Sequence, residues 1–304
     1  MNKTLFLSLL FSLVSVWTAP SPAWPEMDKI LYERDSLYHH LQVSEADGYR
    51  YLSFNRARGN QSVVSIADPY ELKFPYTQAV FVVPAFLDQK PGRILILGLG
   101  GGTIPRVLAK YYPDIPIDIV EIDSDVVDVA WRYFFFETTK KMKVTTMDGR
   151  RFLRSSRNRY DIIFLDAYDD QSIPFHLTTK EFFEIVKQRL TPTGVVAANV
   201  WGPRTDEFYL SELKTYQQVF PHVYVIDCIT SFSYIFIAHA HDKVMTKATL
   251  QDRIPAFQNW FKFNFQLMPY ANTFENMSAV PVNAKVLLDD FAPVEVLRSR
   301  KALF

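Results

Sequence analysis

Between residues 90 and 240, short runs rich in apolar residues alternate with longer amphipathic ones. Residues 93–97 (Arg-Ile-Leu-Ile-Leu) read as a strand covered on both faces, since a strand with one wet face would alternate apolar and polar positions. Residues 103–112 read as a helix, with Pro105 in the first turn, where its missing N–H does no harm. A strand over 117–122 and a helix over 124–134 follow, the helix taking Ser124 as its N-cap. The pattern continues with strands over 143–146 and 160–165, a helix over 178–190 stopped by Thr191-Pro192, a strand over 194–200 and a helix over 206–220. Two strands, 223–227 and 232–238, are joined by so short a link that they must form an antiparallel hairpin at a sheet edge. Strand–helix alternation of this kind predicts a parallel sheet with helices on both faces.

Residues 24–88 are patterned differently. Asp47-Gly48 is a hairpin turn signal ahead of an alternating run at 49–54, and a second strand-like run covers 61–66 before Asp68-Pro69. Residues 72–86 read as a helix bounded by Pro75 and Pro84, and a further helix is expected over 250–265. The chain thus divides into a leader at 1–23, a small β-rich unit with a helix at 24–88, a main α/β unit at 89–240, and a helix with an irregular tail at 241–304. The leader has Lys3, an apolar run of 12 residues from Leu5 to Val16, and the small-x-small site Ser21-Pro22-Ala23. That order is expected of a cleaved signal peptide and of an exported protein, periplasmic or secreted, with no stable membrane span after cleavage. The alternative is an N-terminal membrane anchor, although the run is shorter than the ~20 residues a spanning helix requires.

Composition narrows the chemistry. Lys+Arg and Asp+Glu are 33 each, and a net charge of zero argues against a general grip on nucleic acid. The single cysteine, Cys228, excludes an internal disulfide and any multi-cysteine metal site, and no metal is expected.

The first strand of the main unit leads into Gly98-Leu99-Gly100-Gly101-Gly102-Thr103. Glycines permit a tight turn and close approach of a ligand to the backbone, and the following helix offers free N–H groups. A dinucleotide fingerprint would need glycine where Thr103 stands; Gly98, Gly100 and Gly102 instead suit an AdoMet-type site. Glu121, 19 residues after Gly102 at the end of the next strand, can accept hydrogen bonds from both ribose hydroxyls, with Ile122 beside it. Asp123 is a rival better suited to starting a helix. Asp148, followed by Gly149, can accept an adenine amino group, although Asp-Gly is also a common turn. With the closing hairpin, these features predict an α/β, Rossmann-like class I AdoMet-dependent transferase fold, a doubly wound sheet preceded by a small β-rich domain.

Six stretches now stand in order: Phe74-Pro75-Tyr76-Thr77, the run from Ile94 to Gly102, Val120-Glu121-Ile122-Asp123, Asp148-Gly149-Arg150, Leu165-Asp166-Ala167-Tyr168-Asp169, and the run from Asp289 to Glu295. Together they resemble the spermidine synthase (polyamine aminopropyltransferase) superfamily, in particular its bacterial spermidine synthase-like branch. The resemblance implies transfer of an aminopropyl group from decarboxylated AdoMet to a polyamine such as putrescine, binding of a thio-nucleoside, and a homodimer. It also implies that Asp166 is the catalytic aspartate, that Asp169 helps hold the amine, that Tyr76 orients it, and that His39 stands where the family contacts the nucleoside.

The chain departs from the family at Gly101, where an aspartate usually grips the aminopropyl ammonium, at Thr77, where His or Gln is common, and at Asn199-Val200-Trp201-Gly202. Asp170, Asp289 and Asp290 are possible replacement anchors. Two other functions therefore stay open: an AdoMet-dependent methyltransferase, and an exported, non-catalytic binder of nucleosides or polyamines.

Overall fold

In the computed structural model, residues 29–54, 60–167, 174–291 and 293 are described. The leader, together with Tyr168, Asp169 and Asp170, lies outside them.

The chain opens with β1 (Lys29–Asp35), β2 (His40–Ala46), β3 (Tyr49–Ser53) and β4 (Asn60–Ser65), a four-stranded antiparallel sheet in sequential order. Ala46 pairs with Tyr49, so Asp47 and Gly48 form a two-residue hairpin, with φ of +50° and +79°. Positive φ at both central positions suits the right-handed twist of the strands, and Asp-Gly tolerates it.

The expected helix at 72–86 is split. Only α1 (Pro75–Ala79) is α-helical; residues 80–86 wind into a tighter 3-10 turn with Pro84 inside it. Pro84 has no N–H to donate to the fourth residue back, and Val80, Val82 and Val83 are β-branched. All seven residues of this turn are buried, so packing rather than helix propensity holds it.

The main unit follows as β5 (Ile94–Leu97), α2 (Thr103–Tyr111), β6 (Ile117–Glu121), α3 (Ser124–Tyr133), β7 (Met142–Thr146), α4 (Gly149–Ser155), β8 (Tyr160–Leu165), α5 (Lys180–Arg189), β9 (Leu190–Trp201), α6 (Glu207–Val219), β10 (His222–Asp227), β11 (Ser233–His239), α7 (Lys247–Phe261), α8 (Met268–Asn272) and β12 (Glu275–Asn276). Eight strands form one sheet in the order β12-β10-β11-β9-β8-β5-β6-β7. The five from β9 to β7 are parallel, and β10 and β11 form the expected antiparallel hairpin. That hairpin is not the outermost element, because β12 pairs with β10.

Both sheet faces are buried. Ile94 and Ile96 belong to one apolar layer and Leu95 and Leu97 to the other; Ile162 and Phe164 divide from Ile163 and Leu165 in the same way. The small sheet packs Leu41, Val43, Leu52 and Val64 on Val126, Val129 and Phe134 of the α3 region.

Two local expectations are corrected. The N-cap of α3 is Asp123, not Ser124: its Oδ1 accepts the Asp125 N–H at 2.9 Å. α7 ends at Phe261, because Lys262 turns left-handed with φ of +47°, which frees Phe263 and Phe265 to stack at 4.6 Å. α4, capped by Asp148, was hidden in the sequence behind an Asp-Gly pair that also suits a turn.

Candidate active site

Strand order reverses at β5: β6 and β7 lie to one side of it, β8 and β9 to the other. At such a switch point the loops leaving the carboxyl ends of the strands part and open a crevice. A cavity of about 720 Å³ opens there, reaching from the small sheet to β9. Of the residues singled out in the sequence, Tyr76, Asp166, His39, Gly98, Gly100, Glu121, Ile122, Asp148 and Gly149 all line it. Asp169 lies outside the described residues.

Gly98 shows why the loop has no choice of residue. Its φ is +98°, and a β-carbon there would stand 2.2 Å from the Asp166 carbonyl oxygen. Only glycine brings β5 and β8 close enough to set the glycine loop beside Asp166. Gly102 has a φ of +71°, and a β-carbon there would stand 2.4 Å from Phe136; it is not among the residues lining the cavity, although Gly100 and Thr103 on either side of it are.

Glu121 is 7% exposed. Its Oε2 accepts the Leu99 N–H at 2.8 Å and its Oε1 the Asp123 N–H at 3.1 Å. Burial pushes its carboxyl above the usual range, while the two backbone N–H groups oppose this. Each oxygen keeps a further lone pair for a hydroxyl. Asp123 is spent on structure: it caps α3, takes the Ser36 hydroxyl, and lies 3.4 Å from Nδ1 of His39. His39 stacks on Phe54 at 4.3 Å, so the small sheet presents an aromatic wall to the cavity.

Asp166 stands at the end of β8. Burial pushes its carboxyl up to about 7; the Asn199 amide, donating to Oδ1 at 3.3 Å, opposes this, and the charge of Glu121 adds to it. Asn199, from β9, is one of the departures from the family pattern, and its amide holds the candidate base. A polar residue at the end of an apolar strand was the available signal. Its own Oδ1 is buried and has no partner among the described residues. Burial also holds the Tyr76 phenol well above its usual pKa, with Asp166 nearby adding to the effect. Phe74, Phe175 and Trp201 also line the cavity.

The departures acquire positions. Thr77 does not face the cavity; its hydroxyl donates to the Phe74 carbonyl at 2.7 Å and tightens the first turn of α1. A β-carbon on Gly101 would meet Phe134 at 2.7 Å and Ser62 at 3.0 Å, and its N–H donates to the Ser62 hydroxyl at 2.8 Å. Asp289 is no amine anchor, because it pairs with Arg150 away from the cavity. Among the described residues, no group of three or more His, Cys, Asp or Glu is placed to hold a metal, and no helix is long and apolar enough to cross a membrane.

A doubly wound sheet closed by an antiparallel hairpin, with an acid at each of three strand ends, defines a transferase of the nucleoside-binding, methyltransferase-like class. A human methyltransferase-like protein 13, solved in complex with SAH, superposes with a TM-score of 0.55 at 27% identity, over 62% of this chain and 90% of that one. A spermidine synthase in complex with the transition-state analogue AdoDATO gives 0.64 at 19% identity, over 81% of this chain and 84% of its own, a likeness of fold. The spermine/spermidine synthase domain matches residues 73–251. A polyamine aminopropyltransferase of Vibrio vulnificus is 33% identical over 303 residues, covering 95% of this chain and 98% of its own. The chain belongs to the spermine/spermidine synthase family.

Proposed function

We infer that the protein is a polyamine aminopropyltransferase, which moves an aminopropyl group from decarboxylated AdoMet to an amine such as putrescine and leaves methylthioadenosine. The observation that carries this reading is that Asp166, its carboxyl raised to about 7 by burial, lines the same cavity as Glu121, Asp148, Tyr76 and the glycine loop. Membership of the family and the Vibrio vulnificus relative support it.

The nucleoside half is assigned to Glu121 for the ribose hydroxyls, Asp148 for the adenine amino group, His39 and Ile122 as walls, and the loop at Gly98 and Gly100 for the sulfur end. In the other half, Asp166, Tyr76 and Asn199 receive the amine. A free primary amine has a pKa near that of lysine, ~10, and must lose a proton before it attacks. A carboxylate of pKa about 7 is a better base for that step than an ordinary aspartate. The nitrogen lone pair then forms a bond to the propyl carbon next to the sulfonium. The C–S bond breaks, and its electron pair goes to sulfur, which becomes a neutral thioether. Asp166 has by then taken the proton the ammonium gave up, so the newly bonded nitrogen is left as a secondary ammonium, and Oδ1 of Asn199 offers an acceptor for one of its N–H groups. Asp169 is assigned a share of the amine by resemblance alone.

The test is direct. Incubation with decarboxylated AdoMet and putrescine is expected to yield spermidine and methylthioadenosine in equal amounts by mass spectrometry. Methyl transfer from AdoMet with no aminopropyl product would instead support the methyltransferase reading, which the missing acid at Gly101 favours. A homodimer and an exported location complete the proposal; the first rests on the family resemblance, the second on the leader pattern.

A further inference from the structure

We propose that His176 is a specificity-determining residue which, paired with Asp148, selects a 6-aminopurine over a 6-oxopurine; the proposal rests on the thio-nucleoside reading above. Both side chains line the cavity. Asp148 stands between β7 and α4 with both of its oxygens committed. Oδ1 accepts the Arg151 N–H at 2.8 Å and caps α4, and Oδ2 lies 2.7 Å from Nε2 of His176. A carboxylate only accepts, so Nε2 of His176 must carry the proton. Oδ2 keeps one lone pair for the ligand, and the imidazole fixes where that lone pair points.

The imidazole is itself held from behind. His176 belongs to the 3-10 turn Phe175–Leu177. Arg150, two residues after Asp148, donates to the His176 carbonyl at 3.2 Å. The same guanidinium, only 7% exposed, grips Asp289 with two bonds of 2.6 Å each. Thr179 donates to Asp289 at 2.7 Å, and the Lys180 N–H to the Leu287 carbonyl at 2.8 Å. The start of α4 and the turn are therefore joined by side chain at one end and by main chain at the other, with residues 287–289 as the strap.

A fixed acceptor discriminates in one direction. A 6-amino group donates to the waiting oxygen of Asp148. A 6-oxo group sets a carbonyl oxygen against a carboxylate with no proton between them, and a site built for a hydrogen bond rejects the ligand that lacks it. Without His176 the carboxylate can turn away, and the preference for the amino group fades.

Calorimetry of the full chain with 5′-methylthioadenosine and 5′-methylthioinosine tests this. The wild type is expected to favour the adenosine by about tenfold or more. His176→Ala should weaken the adenosine by about tenfold and the inosine by less than about threefold, collapsing the ratio. His176→Gln, which can still donate to Asp148, should retain most of the selectivity and controls for folding. An unchanged ratio in His176→Ala, equal weakening of both ligands, or no preference in the wild type overturns the proposal. If the wild type binds methylthioadenosine while His176→Ala keeps the ratio, this proposal alone fails. If the wild type binds neither nucleoside, the thio-nucleoside reading fails with it.

Discussion

The Glu121 carboxylate accepts the backbone N–H of Leu99 at 2.8 Å, so the acid assigned to the ribose also holds the first turn of the glycine loop. One side chain therefore shapes the loop and faces the ligand. Glu121→Ala should lower affinity for methylthioadenosine by about 1.5–3 kcal/mol, the usual worth of a hydrogen bond to a charged group. Isothermal calorimetry checks this, with circular dichroism confirming the fold; unchanged affinity would remove Glu121 from the site.

Asp166→Asn keeps the shape and the contact with Asn199 but removes the base. Turnover is expected to fall by ~10²–10⁴, with nucleoside affinity changed far less. In the wild type, the rate should rise with pH through about 7, because only the ionised Asp166 can take the proton. A rising limb near 4, or one that persists in Asp166→Asn, would place the base elsewhere.

Gly101→Asp is expected to destabilise the chain by about 1–3 kcal/mol, the common cost of overpacking. The new β-carbon would press on Phe134 and Ser62 rather than enter the cavity. It should not raise selectivity for decarboxylated AdoMet over AdoMet. Urea denaturation and competition between the two donors measure both effects, and a stable, more selective variant would contradict this.

His239 predicts an acid-sensitive fold. It is 1% exposed and stacks on His241 at 3.6 Å; burial first, then His241 and His222, push its pKa down to about 3. The unfolded chain takes up a proton near pH 6.5 that the folded chain refuses. Stability is thus complete above about 6.5 and is lost as pH falls from there toward 3, by up to about 1.4 kcal/mol per pH unit for this one group. His239→Phe should flatten that slope in urea titrations between pH 7.5 and 5, and an equal slope in both proteins would refute the assignment.

Residues 1–30, fused to a reporter, are expected to direct it out of the cytoplasm with cleavage near Ala23. Mass spectrometry of the mature N-terminus reads the result, and a full-length cytoplasmic reporter would exclude export.

The sequence by itself determined the parallel core. Ile94–Leu97 and Ile162–Leu165 are apolar on successive positions, the pattern of a strand covered on both sides. It also placed Gly98 and Asp166 directly after such runs, and Glu121 and Asp148 at the ends of the two more polar strands between them. It did not determine which of these groups share a wall of the cavity, which polar side chains serve structure, or what each acid touches. Thr77 beside Tyr76 became a turn lock, and Asp289 became the partner of Arg150. Asn199 and His176 gained their places only when β9 aligned with β8 and the turn at 175–177 folded over α4. Local patterning records whether a residue faces a core, since that repeats every two or 3.6 positions. A contact between residues 28 or 33 positions apart, such as Asp148 with His176 or Asp166 with Asn199, leaves no such period and is decided by the crossing of chains in three dimensions.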